Sequence, residues 1–518
     1  MGFAKNETSL TLSASNVMES EKSFIPPDIP WPYFAVVVFM GVVSAFDIGV
    51  PTSVLLVLSA GVFFSLLQKS LTSPVYGLLG LVAFIPYSKA IAGNLGGMIP
   101  GMNYTTVLTV ITLIGFFSTS SRLTKYPVLP LESNFRNLVL FFCLIGGFSI
   151  IHTDIVNSSF SIGSTLVSYK RWLDPILVFF LCSFLVQEEE DAKKILYMMA
   201  FTLMVIGFGT YWQRHELDEH SSYVRFIGIA GQSNTMGAFY ANYSFVMIGF
   251  LVMKKVKKLH KGVILLGLIG CLLGLFATQS RGDALGFVAG MLLFFFFRNK
   301  LQFLTFIAVI IFVAFNPHFL PGGLKQRVER TIQQQSNDGF AVKKQLDASA
   351  RTRLALWKGA VRMIADNPIM GVGYKMFQTF IYGYVDHNEE TAGLELKGRD
   401  GHNAYLMIGA EMGLPALFVF LTILGFMFRI AWKSYRASPD LYWKTVSVCV
   451  LCSVGSLAVT NMFGSRVFSL ILTGYLWALV AILLKMPRWA KERSLKKDIH
   501  ETEKPKICTP SFQNFSKF

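Results

Sequence analysis

The chain has 518 residues, of which 53% are hydrophobic and only 15% charged, with a mean hydropathy of +0.50. A soluble domain carries about a quarter charged residues, so the composition excludes an ordinary soluble enzyme and indicates an all-α polytopic membrane protein. The net charge of +16 would suggest nucleic acid in a soluble chain, but the basic residues cluster in short segments between apolar runs, so no nucleic-acid partner is implied and membrane lipids are the expected surroundings.

Residues 1–30 are polar and Ser/Asn-rich, and are expected to be a cytoplasmic N-terminus without a cleavable signal peptide. Apolar runs then recur at 31–50, 52–68, 75–92, 104–120, 136–152, 172–187, 194–213, 235–253, 262–279, 282–297, 301–316, 404–431, 442–461 and 466–485. At bilayer-spanning length this predicts about 12–14 transmembrane helices. They divide into an N-terminal transmembrane bundle (31–213), a core with arginine motifs (214–316), a long external loop (317–401) and C-terminal helices (402–485). A cytoplasmic basic tail (486–518) follows, expected to be partly disordered.

Orientation follows from the short loops. The segments 253–261, 298–300, 429–436 and 485–497 are all basic, which predicts that they face the cytoplasm. With both termini inside, the segment 214–234, the turn 278–283 and the loop 317–401 fall on the opposite face. That loop shows no strand alternation. Its one clear helical pattern places Leu354, Trp357, Val361 and Ile364 on one stripe and Arg351, Lys358 and Arg362 on another. Such a helix can lie in the membrane interface or pack on the loop's own core, and periodicity leaves both open. Asn367-Pro368 ends it, and Gly371 and Gly373 predict a tight turn. Five of the six cysteines lie in apolar runs, and the Cys449/Cys452 pair has no second pair or histidine to complete a metal site.

Three ionisable residues on the outer face could carry chemistry. Arg225 precedes a Gly/Ser-containing turn, and Arg281 lies between two spans with Asp283 beside it. Two arginines there can grip a pyrophosphate through charge-assisted hydrogen bonds, or anchor helix ends at the headgroups. His402 stands at the entrance of a span, where imidazole can act as a general base or serve as a plain polar end residue. His387 is its nearest rival, deeper in the loop. No HExxH, Walker or GxGxxG pattern points to a metal or a nucleotide.

In order, RFIGIAGQSN (225–234), SRG (280–282), RTRLALW (351–357), DNPIMGVGY (366–374), HNAYL (402–406) and EMGLPAL (411–417) form a set. The set resembles the O-antigen ligase and O-antigen polymerase superfamily of bacterial inner-membrane glycan transferases. The resemblance covers roughly residues 215–430. It implies a C-type glycosyltransferase fold, an undecaprenyl-pyrophosphate-linked glycan donor and a glycan, lipid A-core or protein acceptor. The site would face the periplasm, with no metal or other cofactor. By motif, Arg225 and Arg281 would bind the donor pyrophosphate and His402 would activate the acceptor. Arg351, Arg353, Asn403 and Glu411 are secondary candidates. Gln232-Ser233-Asn234 departs from the pattern, which has a proline before the asparagine. A polymerase is the alternative within the superfamily. A solute transporter of bicarbonate type and a non-catalytic scaffold are the alternatives outside it.

Overall fold

A computed structural model describes residues 28–46, 52–91, 102–123, 129–156, 162–218, 225–254, 256–320, 325, 332–337, 341–388, 391, 393–465 and 468–502. Seven helices come first: α1 (Trp31–Ala45), α2 (Thr52–Thr72), α3 (Val75–Phe84), α4 (Tyr104–Leu123), α5 (Pro130–Val156), α6 (Ile162–Leu185) and α7 (Glu189–Asp218). The next four are α8 (Ser233–Val252), α9 (Lys258–Ala277), α10 (Arg281–Arg298) and α11 (Lys300–Phe315). The long loop contributes strands β1 (Ile332–Asn337) and β2 (Ala341–Leu346) and helices α12 (Ala348–Asp366) and α13 (Phe377–Tyr384). The chain then forms α14 (Ala404–Ala437), α15 (Leu441–Thr460) and α16 (Leu470–Thr502).

Each predicted span falls on one of these helices. Seven of them, α5, α7, α8, α9, α14, α15 and α16, are long and apolar enough to cross a membrane, so the chain is a multi-pass membrane protein. Five of the remainder are shorter apolar helices. The two other helices on predicted spans, α6 and α10, carry three charged residues each: Lys170, Arg171 and Asp174, and Arg281, Asp283 and Arg298.

Helix α8 sits at the centre, with α9, α15 and α10 packed around it, and is buried along nearly its whole length. Close approach depends on small residues, as membrane helices require. Where α7 meets α9, a Cβ on Gly207 would lie 2.0 Å from the Gly267 carbonyl oxygen, so the two backbones touch.

The two ends of the bundle are built differently. At one end, Lys485 and Glu132 form a nearly fully buried ion pair at 2.6 Å that joins α16 to α5. Arg488 Nη1 donates to Gln187 Oε1 at 3.0 Å, and Trp443 Nε1 donates to Glu189 Oε1 at 3.0 Å. Arg493 pairs with Asp440 at 3.2 Å. Arg298, Lys300 and Arg436 lie at this same basic end, which gathers the short basic loops. The opposite end holds Arg225, the turn before Arg281, the long loop and His402.

Three expectations need correction. The loop is not free of strands: β1 pairs antiparallel with β2, from Ile332↔Leu346 to Asn337↔Ala341. Its Gln-rich first strand lacks apolar alternation, so only the Asp338-Gly339 dipeptide between the strands could have signalled a hairpin. The buried stripe of α12 is Ala355, Leu356, Gly359, Ala360 and Met363, whereas Leu354 and Val361 are exposed. That stripe packs on Val372, Phe377, Ile381 and Val385, so the helix does pack on the loop's own core. Finally, α16 continues to Thr502 through Pro487, its charged extension carrying the i,i+4 pair Arg488–Glu492. The predicted N-terminal segment up to residue 27 and the tail from 503 lie outside the described residues.

Candidate functional site

The long helix α14 is broken. Gly413 has φ 82° and ψ 172°, and Pro415 follows it. A break leaves backbone groups that lipid cannot satisfy, and the DNPIMGVGY segment satisfies them. Val372 N–H donates to the Ala410 carbonyl at 2.8 Å and Gly373 N–H to that of Glu411 at 3.0 Å. Leu414 N–H, opening the second half, donates to the Pro368 carbonyl at 2.7 Å. Only glycine fits at 413, because a Cβ there would lie 2.0 Å from the Ile369 carbonyl oxygen. The two motifs therefore form one unit that locks the loop onto the membrane helix. Glu411 belongs to this unit: its Oε1 accepts from Phe377 N–H at 3.3 Å and fixes the start of α13.

The arginine turn is built from two segments. Phe226 N–H donates to the Ala277 carbonyl at 3.1 Å, laying 225–232 beside the end of α9. Arg225 Nε donates to the Thr278 carbonyl at 2.9 Å, and its Nη2 donates to Asn234 Oδ1. The segment closes through a 3₁₀ turn at Gly228–Ala230 and an αL residue at Gly231. Gln232 takes the extended N-cap conformation of α8, so the turn closes without the proline of the family pattern. Arg281 opens α10 and pairs with Asp347 at 3.1 Å, both side chains mostly buried.

Asp347 has a second role. Its Oδ1 accepts from Ala350 N–H at 2.7 Å and caps α12. Arg351 and Arg353 stand half-buried in the first two turns of that helix. Farther along it, Trp357 Nε1 donates to the Gly401 carbonyl at 2.9 Å, next to His402. One helix thus runs from the Arg281 pair to the His402 bend.

His402 is half-buried and has φ 48°, an αL conformation uncommon outside glycine. Asp400 holds the bend: its Oδ1 accepts His402 N–H at 3.0 Å and the Ser465 hydroxyl. Asn403 caps α14, its Oδ1 accepting from Tyr405 N–H at 3.0 Å and Leu406 N–H at 3.1 Å. Ala404 N–H donates to the Asn461 carbonyl at 2.8 Å, tying this start to the end of α15. A second connection returns to the arginine turn through Phe463, which packs on Gly282 so closely that a Cβ there would lie 2.5 Å away.

The structure therefore joins Arg225, Arg281, Arg351, Arg353, His402 and Asn403 through shared supports at one end. Glu411 supports the neighbouring turn. The rival His387 is exposed, its Nε2 bonded to the Tyr382 carbonyl at 3.1 Å. Cys449 and Cys452 are free thiols buried against Phe245 and Phe294. Sequence reasoning names Asn234 and Trp357 only as motif and stripe residues, and the supports that it missed outright are Asp347, Asp400 and Ser465. Of these, only Asp347 carried a local signal, as an N-cap before a helical run.

This arrangement belongs to a multi-pass membrane protein whose polar site gathers at one end of a helical bundle. Residues 266–421 match the family model described as O-antigen ligase. That part of the chain is similar to O-antigen ligases, which agrees with the resemblance drawn from its motifs. Arg281, Arg351, Arg353, His402, Asn403 and Glu411 lie within the match and Arg225 lies before it. No curated protein matches the chain.

Proposed function

We propose that the protein is a C-type glycosyltransferase of the O-antigen ligase kind, working at the periplasmic face of the bacterial inner membrane. It takes a glycan from an undecaprenyl-pyrophosphate donor and passes it to an acceptor hydroxyl. Arg225 and Arg281 grip the pyrophosphate and stabilise the charge that develops as it leaves. His402 orients or deprotonates the acceptor hydroxyl, which attacks the anomeric carbon from the opposite side and inverts it. The bond to the pyrophosphate oxygen breaks, and the carrier leaves as the pyrophosphate. The loop 317–401 covers the site and helps to select a lipid A-core, glycan or protein acceptor. Arg351 and Arg353 stand where an acidic sugar or phosphate would pass.

The observation that carries this reading is that α12 is tied to Arg281 at its cap and to the His402 bend through Trp357. Such a support sets a phosphate-binding cation and a candidate base in a fixed relation, as transfer chemistry demands. A transporter would favour broken helices around a mid-membrane site. Here the break in α14 is capped by the external loop, which favours the transferase. The test is surface glycan in cells carrying His402→Ala or Arg281→Ala at normal protein levels. Loss of long-chain glycan is expected from each. Wild-type glycan from both would sink the proposal.

A further inference from the structure

Far from the candidate site, the N-terminal helices leave a cleft. Helix α1 packs on α7 and α3, while α2 packs on α4 and α3. Between α1 and α2 lies a cavity of about 490 Å³, floored by Gly80, Ala83 and Phe84. That volume lies in the range of small-molecule sites, roughly 300–1,000 Å³. Its walls are apolar, with Val36 and Met40 on one side and Val62 and Leu66 on the other. Exposed Phe39 and Leu58 lie at the rim, so the cleft opens sideways, where lipid would surround a spanning helix.

One end of the cleft is not apolar. Lys69 lines it, its ammonium 5.9 Å from the ring centroids of both Tyr33 and Tyr76. Tyr33 donates its hydroxyl to the Tyr76 carbonyl at 3.2 Å, which fixes the aromatic pair. Among the described residues Lys69 has no carboxylate partner, whereas Lys194, over the same Tyr76 ring, pairs with Asp191 at 3.1 Å. This is the basic end of the bundle, away from His402. From Leu58 to Lys69 the α2 wall runs about 16 Å at 1.5 Å per residue. That is about half of a ~30 Å hydrocarbon core, the depth of one leaflet.

We infer that this cleft binds one anionic phospholipid from the leaflet at the basic end, an acyl chain between α1 and α2 and its phosphate at Lys69. The slot's depth matches one leaflet's chain and its single cation matches one phosphate. The site is separate from glycan transfer and stands whether or not that reading holds.

Native mass spectrometry of the full-length protein extracted from mixed phosphatidylglycerol and phosphatidylcholine vesicles of equal chain length tests it. One retained phosphatidylglycerol per chain is expected. Lys69→Gln should weaken the preference for the anionic lipid about fivefold, the effect of one lysine near a headgroup layer. Gly61→Phe should displace both lipids: Gly61 lines the cleft and a Cβ there meets nothing within 4 Å, so the ring enters empty space. His402→Ala should retain the lipid. Wild-type retention by well-behaved Lys69→Gln and Gly61→Phe proteins would overturn the proposal. So would equal competition by glycerol phosphate, which has no chain to fill the slot.

Discussion

The two ends of the bundle use polar residues in opposite ways. At the basic end, most charges close on one another: Lys485 on Glu132, Arg493 on Asp440 and Glu189, Arg488 on Glu492. Backbones there are regular helix ends. At the other end the polar groups hold irregular backbone in place. All three non-glycine residues with positive φ among the described residues, Gln279, Lys375 and His402, lie there. Strained conformations persist where surrounding structure over-determines them, and they cluster at functional sites. The comparison separates charges that fasten helices from charges arranged around the candidate site.

Mutations can break this contrast. The largest stability effect belongs to the basic end. Lys485→Met leaves Glu132 buried without its partner and should cost about 3–5 kcal/mol. It should lower the thermal unfolding temperature in detergent while the protein that remains folded keeps its specific activity. Equal loss of activity per folded molecule would erase the distinction between the ends.

A smaller stability effect, with a larger functional one, is expected at Asp347. Asp347→Asn keeps a capping oxygen but removes the charge facing the mostly buried Arg281, so it should cost about 1.5–3 kcal/mol. Asp347→Ala also loses the cap, at about 1 kcal/mol more. If the pair positions Arg281 for the donor, both variants raise the apparent KM for donor together, despite their different stabilities. A KM that follows stability instead would reduce Asp347 to a helix cap.

The smallest effect concerns pH. Arg362 holds Asp386 through two bonds of 2.8 Å, keeping that carboxyl below its usual range. A depressed carboxyl stabilises the fold above the unfolded-state value of 3.8 and loses that contribution as pH falls through the lower folded value. Hydrogen exchange in α12 and α13 should therefore rise in acid, and Asp386→Asn should flatten the response. An unchanged acid response in Asp386→Asn would assign the opening to other groups. Because the pair is exposed, the basic end should be indifferent to it.

The helices were legible because hydropathy and bilayer thickness constrain them strongly, and each predicted span coincides with a helix. The α12 stripe was not, because its sequence admits two apolar faces. Leu354 and Val361 have the right spacing, yet Leu356 and Met363 meet Phe377 and Ile381. That choice is tertiary and invisible to periodicity. The candidate site was legible as isolated motifs, not as a framework. Asp347 lies 66 residues beyond Arg281, and Ser465 lies 65 beyond Asp400, so neither partner could be paired from local pattern. The αL bend at His402 was also hidden, since histidine carries no strong signal for it.

The central claim is that the irregular end performs glycan transfer with His402 as the acceptor-activating group. The most direct measurement is transfer by the purified full-length protein, given an undecaprenyl-pyrophosphate-linked glycan and a lipid A-core acceptor, for wild type and His402→Ala. Wild type should release carrier pyrophosphate and form the glycosylated acceptor, and His402→Ala should be slower by about a hundred- to ten-thousand-fold. Turnover of the variant at the wild-type rate would contradict the account.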